Sequence, residues 1–85
     1  MKDLEKIKIA VIGLGYVGLP LAVEFSKKKE VIGFDVDEKR ITELKEGFDK
    51  TGELSNREIL SVQDIKFTSN VDELSESNFY IVTVP

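Results

Sequence analysis

The sequence predicts an α/β domain of the doubly wound type, four parallel strands with helices on both faces. Three observations lead there. Short apolar runs rich in β-branched residues alternate with segments of helical periodicity. A glycine-rich turn, Gly13-Leu14-Gly15-Tyr16-Val17-Gly18, joins the first apolar run to the first helical segment. An aspartate, Asp35, closes the second run.

Each element has its own signal. Lys6 to Ile12 is nearly continuous in apolar residues, as expected of a strand covered on both faces. Tyr16 to about Lys28 reads as a helix, with Val17, Leu21 and Phe25 at helical spacing and Val17 expected in the core. Pro20 falls in its first turn, where a missing N–H costs little. Lys27 to Lys29 form a solvated end that suits the helix dipole. Glu30 to Asp35 is a second strand. Asp37 is placed to cap a helix running through Glu46, with Ile41, Leu44 and Phe48 on one stripe and Gly47 as the stop.

Asp49 to Glu53 reads as a solvated loop. Ser55 and Glu58 form a capping box for a short helix ending at Leu60. Ile65 to Thr68 is a brief third strand. Ser69, with Asp72 three residues on, opens a further short helix ending near Glu76. Phe79 to Val84 is the fourth strand. The alternation of strands and helices implies right-handed parallel crossovers.

Composition narrows the chemistry. The chain has 85 residues, 12 basic and 16 acidic, with a net charge of -4 and neither histidine nor cysteine. Disulfide scaffolds, thiolate zinc sites and thiol catalysis are excluded from these residues, and so is the commonest general base. No catalytic residue and no metal site are expected here. The acidic balance argues against a nucleic-acid partner. The apolar run from Ile9 to Val23 spans fifteen residues, too short for a membrane span of about 20. It also carries three glycines and a proline, with no small-residue cleavage site after it. A cytoplasmic protein without a membrane partner is expected.

The glycine turn fits G-x-G-x-x-G in its required setting, directly after a strand and opening a helix. Gly13 permits the tight turn, Gly15 lets backbone approach a pyrophosphate, and Gly18 lets the helix pack closely on the sheet. The anion would rest on the free N–H groups of the helix start. Asp35, 17 residues past Gly18, stands where a carboxylate accepts both hydroxyls of an adenosine ribose. It would repel a 2′-phosphate, so NAD is expected rather than NADP. Arg40 is the counter-signal, since a nearby arginine can hold that phosphate. It is expected at the adenine rim or in a surface pair with Glu43 or Glu46. A structural turn without ligand, and a merely capping role for Asp35, are the alternatives.

Together these residues resemble a known family. KIAVIGLGYVGLPLA from Lys8 to Ala22, VIGFDVDEKRI from Val31 to Ile41 and FYIVTVP from Phe79 to Pro85 are similar to the start of the UDP-glucose/GDP-mannose dehydrogenases. The resemblance covers nearly the whole chain. It implies that residues 1–85 are the N-terminal part of a Rossmann-type NAD-binding domain, the central and substrate domains lying elsewhere. By position, Gly13, Gly15, Tyr16, Val17 and Gly18 would line the pyrophosphate. Asp35 would hold the ribose with Arg40 nearby, and Thr83, Val84 and Pro85 would flank the cofactor.

The segment from Glu46 to Leu60, EGFDKTGELSNREIL, is similar to the branch acting on UDP-N-acetylglucosamine or UDP-N-acetylgalactosamine. The resemblance therefore implies oxidation of C6 of a UDP-sugar to a carboxylate in two NAD-dependent steps, for surface polysaccharide synthesis. In that family the reaction runs through a thiohemiacetal and thioester on a cysteine, which these residues lack. The activity is expected of a longer, homo-oligomeric parent, with this chain a truncated and inactive part of it. A regulatory nucleotide-binding domain, or a folding fragment without usable affinity, is the competing expectation.

Overall fold

Ile9–Ile12 (β1) is the centre of the sheet because its side chains are apolar on both faces and nearly all buried. A computed structural model describes residues 6–62 and 64–83. Val31–Phe34 (β2), Ile65–Thr68 (β3) and Phe79–Val82 (β4) complete a four-stranded sheet in the order β3-β2-β1-β4. Every pairing is parallel, with Ile9 opposite both Val31 and Phe79. The helices are Gly18–Ser26 (α1), Glu38–Lys45 (α2) and Asn56–Leu60 (α3), with a 3₁₀ helix at Val71–Glu76.

Side chains alternate across the sheet, and the two faces are covered unequally. Ile9, Val11, Val31 and Phe67 share one core with Leu19 and Ala22 of α1, Ile41 and Leu44 of α2 and Ile59 of α3. The opposite face, bearing Ala10, Ile32, Lys66 and Tyr80 in register, carries the 3₁₀ helix. That helix is pinned by Glu73, which accepts from Thr68 Oγ1 at 2.6 Å and pairs with Lys66. The Tyr80 hydroxyl donates to the carbonyl oxygens of Leu74 and Ser77.

Two local expectations give way to packing. Helix α1 begins at Gly18, and its buried stripe is Gly18, Leu19, Ala22 and Ser26. Small residues at four-residue spacing bring the backbone closest to the sheet, so this stripe turns inward. Val17 therefore lies outside the core, 63% exposed. Along α2 the buried residues are Arg40, Ile41 and Leu44. Gly47 ends this helix at φ +88° and turns the chain away, which leaves Phe48 half exposed rather than on the stripe.

The caps follow the sequence more closely. Asp37 accepts from the Lys39 and Arg40 N–H groups, and Ser55 and Glu58 form both halves of their capping box. Asn70, not Ser69, caps the 3₁₀ helix through the Asp72 N–H. At α1, Lys27 is paired with Glu24 at 2.9 Å, both side chains well exposed. Such a pair contributes little. Strand β4 is secured at both ends. Asn78 bonds the backbone of Lys6 and Lys8 at its start, and Thr83 N–H donates to Ile12 O at its finish.

Leu19 is fully buried, whereas Val71 is 64% exposed. Leu19→Ala is expected to cost about 3 kcal/mol and Val71→Ala less than about 0.5 kcal/mol, read from urea unfolding of each variant.

Candidate functional site

The sheet order places a switch at β1. The chain leaves β1 toward β2 on one side and returns to β4 on the other, and ligands of such sheets bind beyond the carboxyl ends at that reversal. The glycine turn sits there. Gly13 has φ +98° and donates its N–H to Phe34 O, the last carbonyl of β2. A Cβ on Gly13 would lie 2.4 Å from Thr83 O, and one on Gly18 would lie 1.6 Å from Gly13 O. Those two glycines are required by the protein itself.

Gly15 is different. Its φ is ordinary, and a Cβ there would meet nothing within 4 Å. Space for a side chain exists, so the protein alone gives no reason for glycine. The space fits a ligand approaching the backbone. Tyr16 and Val17 flank it, both exposed.

The start of α1 is also unfinished. It has no side-chain cap and no acidic residue in its first turn. Among the described residues, the N–H groups of Gly15, Tyr16, Val17 and Gly18 have no backbone acceptor. Free donors and the positive end of a nine-residue helix suit a phosphate. Asp35 stands beside this loop. Its Oδ2 accepts from Leu14 N–H at 2.9 Å and its Oδ1 from Asp37 N–H at 3.0 Å. A carboxylate has about four acceptor sites, so capacity for two ribose hydroxyls remains. Asp35 is thus a loop clamp with acceptor capacity to spare, while Asp37 does the capping.

Thr83 lies behind the loop rather than in front of it. Its hydroxyl donates to Gly13 O at 2.8 Å, and it would meet a Cβ on Gly18 at 2.7 Å. Val84 and Pro85 lie outside the described residues. Clefts of 370, 400 and 420 Å³ open between α1 and α3, beside β3, and at the amino ends of the strands. None of the three is lined by the glycine turn or Asp35.

Comparison with known proteins agrees with this geometry. Residues 7–85 match the NAD-binding domain of the UDP-glucose/GDP-mannose dehydrogenase family. The chain belongs to that family. A UDP-N-acetyl-D-glucosamine 6-dehydrogenase of Salmonella typhi is 54% identical over all of this chain and 20% of its own length. One from Pseudomonas aeruginosa is 53% identical over all of this chain and 19% of its own length. Among solved structures, the UDP-D-ManNAc dehydrogenase of Pyrococcus horikoshii superposes with a TM-score of 0.80 at 35% identity. That match covers 92% of this chain and 20% of the other. The chain therefore spans about a fifth of the length of these relatives. The domain is of the NAD-binding kind, and the open Gly15 face, the free N–H groups and Asp35 fit that cofactor.

Arg40 is where the structure departs most from expectation. It makes no surface pair with Glu43 or Glu46. The residue is 3% exposed and its guanidinium is turned inward, with Nε and Nη2 donating to Leu14 O at 2.8 and 2.5 Å and Nη1 to Asp49 Oδ1 at 2.8 Å. Asp49 is likewise buried, not solvated. It accepts further bonds from the Thr51 N–H and hydroxyl at 3.0 and 2.6 Å, and from Leu54 N–H at 3.0 Å. The loop from Asp49 to Leu54 is wrapped around that carboxylate. An Asp followed two residues on by Thr is an Asx-turn signal, and it could have marked the loop as ordered.

Burial alone would push the Asp49 carboxyl up, but bonds from Thr51, Arg40 and Leu54 outweigh it and hold the group below its ordinary value. A lowered folded value stabilises the fold above the unfolded value of about 3.9 and ceases to do so as pH falls through the folded one. Glu73, lowered by Lys66 and Thr68, acts in the same direction. Stability is expected to fall on acidification below about pH 4. Asp49→Asn should be about 3 kcal/mol less stable at neutral pH and show a shallower acid slope in urea midpoints.

Two of the glycines give a second test. Gly18→Ala forces backbone apart and should cost about 3 kcal/mol or more. Gly15→Ala should change the urea midpoint by less than about 0.5 kcal/mol equivalent.

Proposed function

We propose that this chain is the cofactor-holding part of an NAD-dependent nucleotide-sugar 6-dehydrogenase. The parent oxidises C6 of a UDP-N-acetylhexosamine, or of a UDP-glucose-like sugar, to a uronate for surface polysaccharide synthesis in the cytoplasm. The observation that carries this is the 54% identity to the Salmonella typhi UDP-N-acetyl-D-glucosamine 6-dehydrogenase along the entire chain. A 49% match to Protein CapL of Staphylococcus aureus, over 77 residues, points the same way. These relatives favour a dehydrogenase over a regulatory nucleotide sensor. Among the described residues no helix is long and apolar enough to cross a membrane.

When bound, NAD supplies the hydride acceptor. The residues here bind and orient it. The N–H groups from Gly15 to Gly18 take the pyrophosphate, with Gly13 shaping the turn and Tyr16 and Val17 bordering it. Asp35 accepts the ribose hydroxyls through its remaining lone pairs, and its charge repels a 2′-phosphate. Thr83 supports the turn from behind. The covalent step that the family resemblance implies uses a cysteine, and these residues contain none. Two hydride removals convert the C6 alcohol to a carboxylate with uptake of one water, and both belong to the parent enzyme.

Titration of the 85-residue chain with NAD at millimolar concentration is expected to shift the amide resonances of Gly13 to Gly18 and Asp35. Absence of any shift there would refute the assignment. Asp35→Ala should weaken NAD more than NADP: loss of the Leu14 clamp loosens the turn for both, but only NAD loses the ribose hydrogen bonds while NADP is relieved of repulsion. Gly15→Ala should weaken both cofactors without loss of fold.

A further inference from the structure

A trans peptide points its carbonyl and its N–H in opposite directions, so fixing one end aims the other. Two such units flank Leu14 in the glycine turn, and no cis peptide occurs among the described residues. In the unit joining Gly13 to Leu14 both ends are occupied, the carbonyl by the Thr83 hydroxyl and the N–H by Asp35 Oδ2. The next unit, from Leu14 to Gly15, is held at its carbonyl. That oxygen accepts Nε and Nη2 of Arg40 at 2.8 and 2.5 Å. The Gly15 N–H has no backbone acceptor among the described residues, and a Cβ on Gly15 would meet nothing within 4 Å. This donor is therefore directed away from the guanidinium, at a residue that borders open space.

Arg40 can aim this peptide only while its own long side chain keeps one position, and fixing such a chain costs rotamer entropy. Asp49 supplies the second hold. Its Oδ1 accepts Nη1 at 2.8 Å, so all three guanidinium nitrogens are engaged. Three bonds from Thr51 and Leu54 fix the carboxylate in turn. A charged donor at the carbonyl also polarises the amide and strengthens the N–H at its far end. Resting on the NAD assignment above, we propose that Asp49 is a positioning residue for the cofactor. Through Arg40 it sets the direction of the Gly15 N–H and presents that donor to the pyrophosphate before binding. The loop from Asp49 to Leu54 thereby acts on the cofactor turn through one side chain.

The test combines NAD titration with the residual dipolar coupling of the Gly15 N–H, in the 85-residue chain and three variants. Couplings along α1 supply the fixed frame. Asp49→Asn should alter the Gly15 coupling in the absence of ligand and weaken NAD about tenfold. Thr51→Val removes one bond to the same carboxylate at a partly exposed position. It should move both readouts in the same direction, with NAD about threefold weaker. Ser55→Ala removes a helix cap that bonds neither Asp49 nor Arg40, and should leave both readouts unchanged.

Where Asp49→Asn is too unstable to measure, Thr51→Val decides. Weaker NAD binding with the Gly15 coupling unaltered would mean that Asp49 only staples its loop, and would overturn the proposal. So would an altered coupling with NAD affinity intact, since that donor would then not serve the cofactor. In the unsubstituted chain the Gly15 coupling should hold its value on saturation with NAD, as a prearranged donor requires. A reorientation on binding would refute the proposal. If the unsubstituted chain does not bind NAD, the NAD assignment itself fails, a result distinct from binding that the variants leave unchanged.

Discussion

Leu14 is the residue on which the binding loop depends. Its side chain is fully buried, packed near Gly33 and Phe67 in the core beneath the turn. Its N–H is held by Asp35 and its carbonyl by Arg40. All three attachments come from different parts of the fold, and together they leave one orientation for the peptide units on either side. Gly13 and Gly15 can then present backbone outward because the residue between them is fixed inward. A loop with that constraint is ordered before any ligand arrives, so binding need not bear the entropy of ordering it.

The acidic residues divide the work in a way that net charge conceals. Asp37 caps α2, Asp35 clamps Leu14, and Asp49 neutralises a buried cation. Removing any one has a different consequence, because each is matched to a different donor set. The overall charge of -4 describes the surface and its repulsion of polyanions. It says nothing about the local field at the helix start, which lacks acidic side chains in its first turn.

Much of this was legible locally. Strand and helix alternation, the Asp37 cap, the Ser55 and Glu58 box and the glycine turn all follow from rules that span fewer than about ten residues. What sequence rules missed involves longer relations. Arg40 and Asp49 are nine residues apart across a helix end, and nothing at that spacing marks an ion pair. Val17 looked like core because it shares a helical stripe with Leu21 and Phe25. The deciding factor was the close approach allowed by Gly18, Ala22 and Ser26, a property of helix against sheet. Leu14 drew no notice because the motif is defined by its glycines.

The register of β4 ties this site to the order in which the chain assembles. Ile9 pairs with Phe79, partners separated by nearly the full sequence, and Thr83 then closes on the Gly13 carbonyl. Joining such distant segments costs loop-closure entropy before it returns contacts, and contacts of this kind slow folding. The earlier units, β1 to α1 to β2, have closer partners. The support under the glycine turn is therefore completed only where β4 pairs with β1, and a chain lacking that pairing would leave the Gly13 carbonyl without its Thr83 partner.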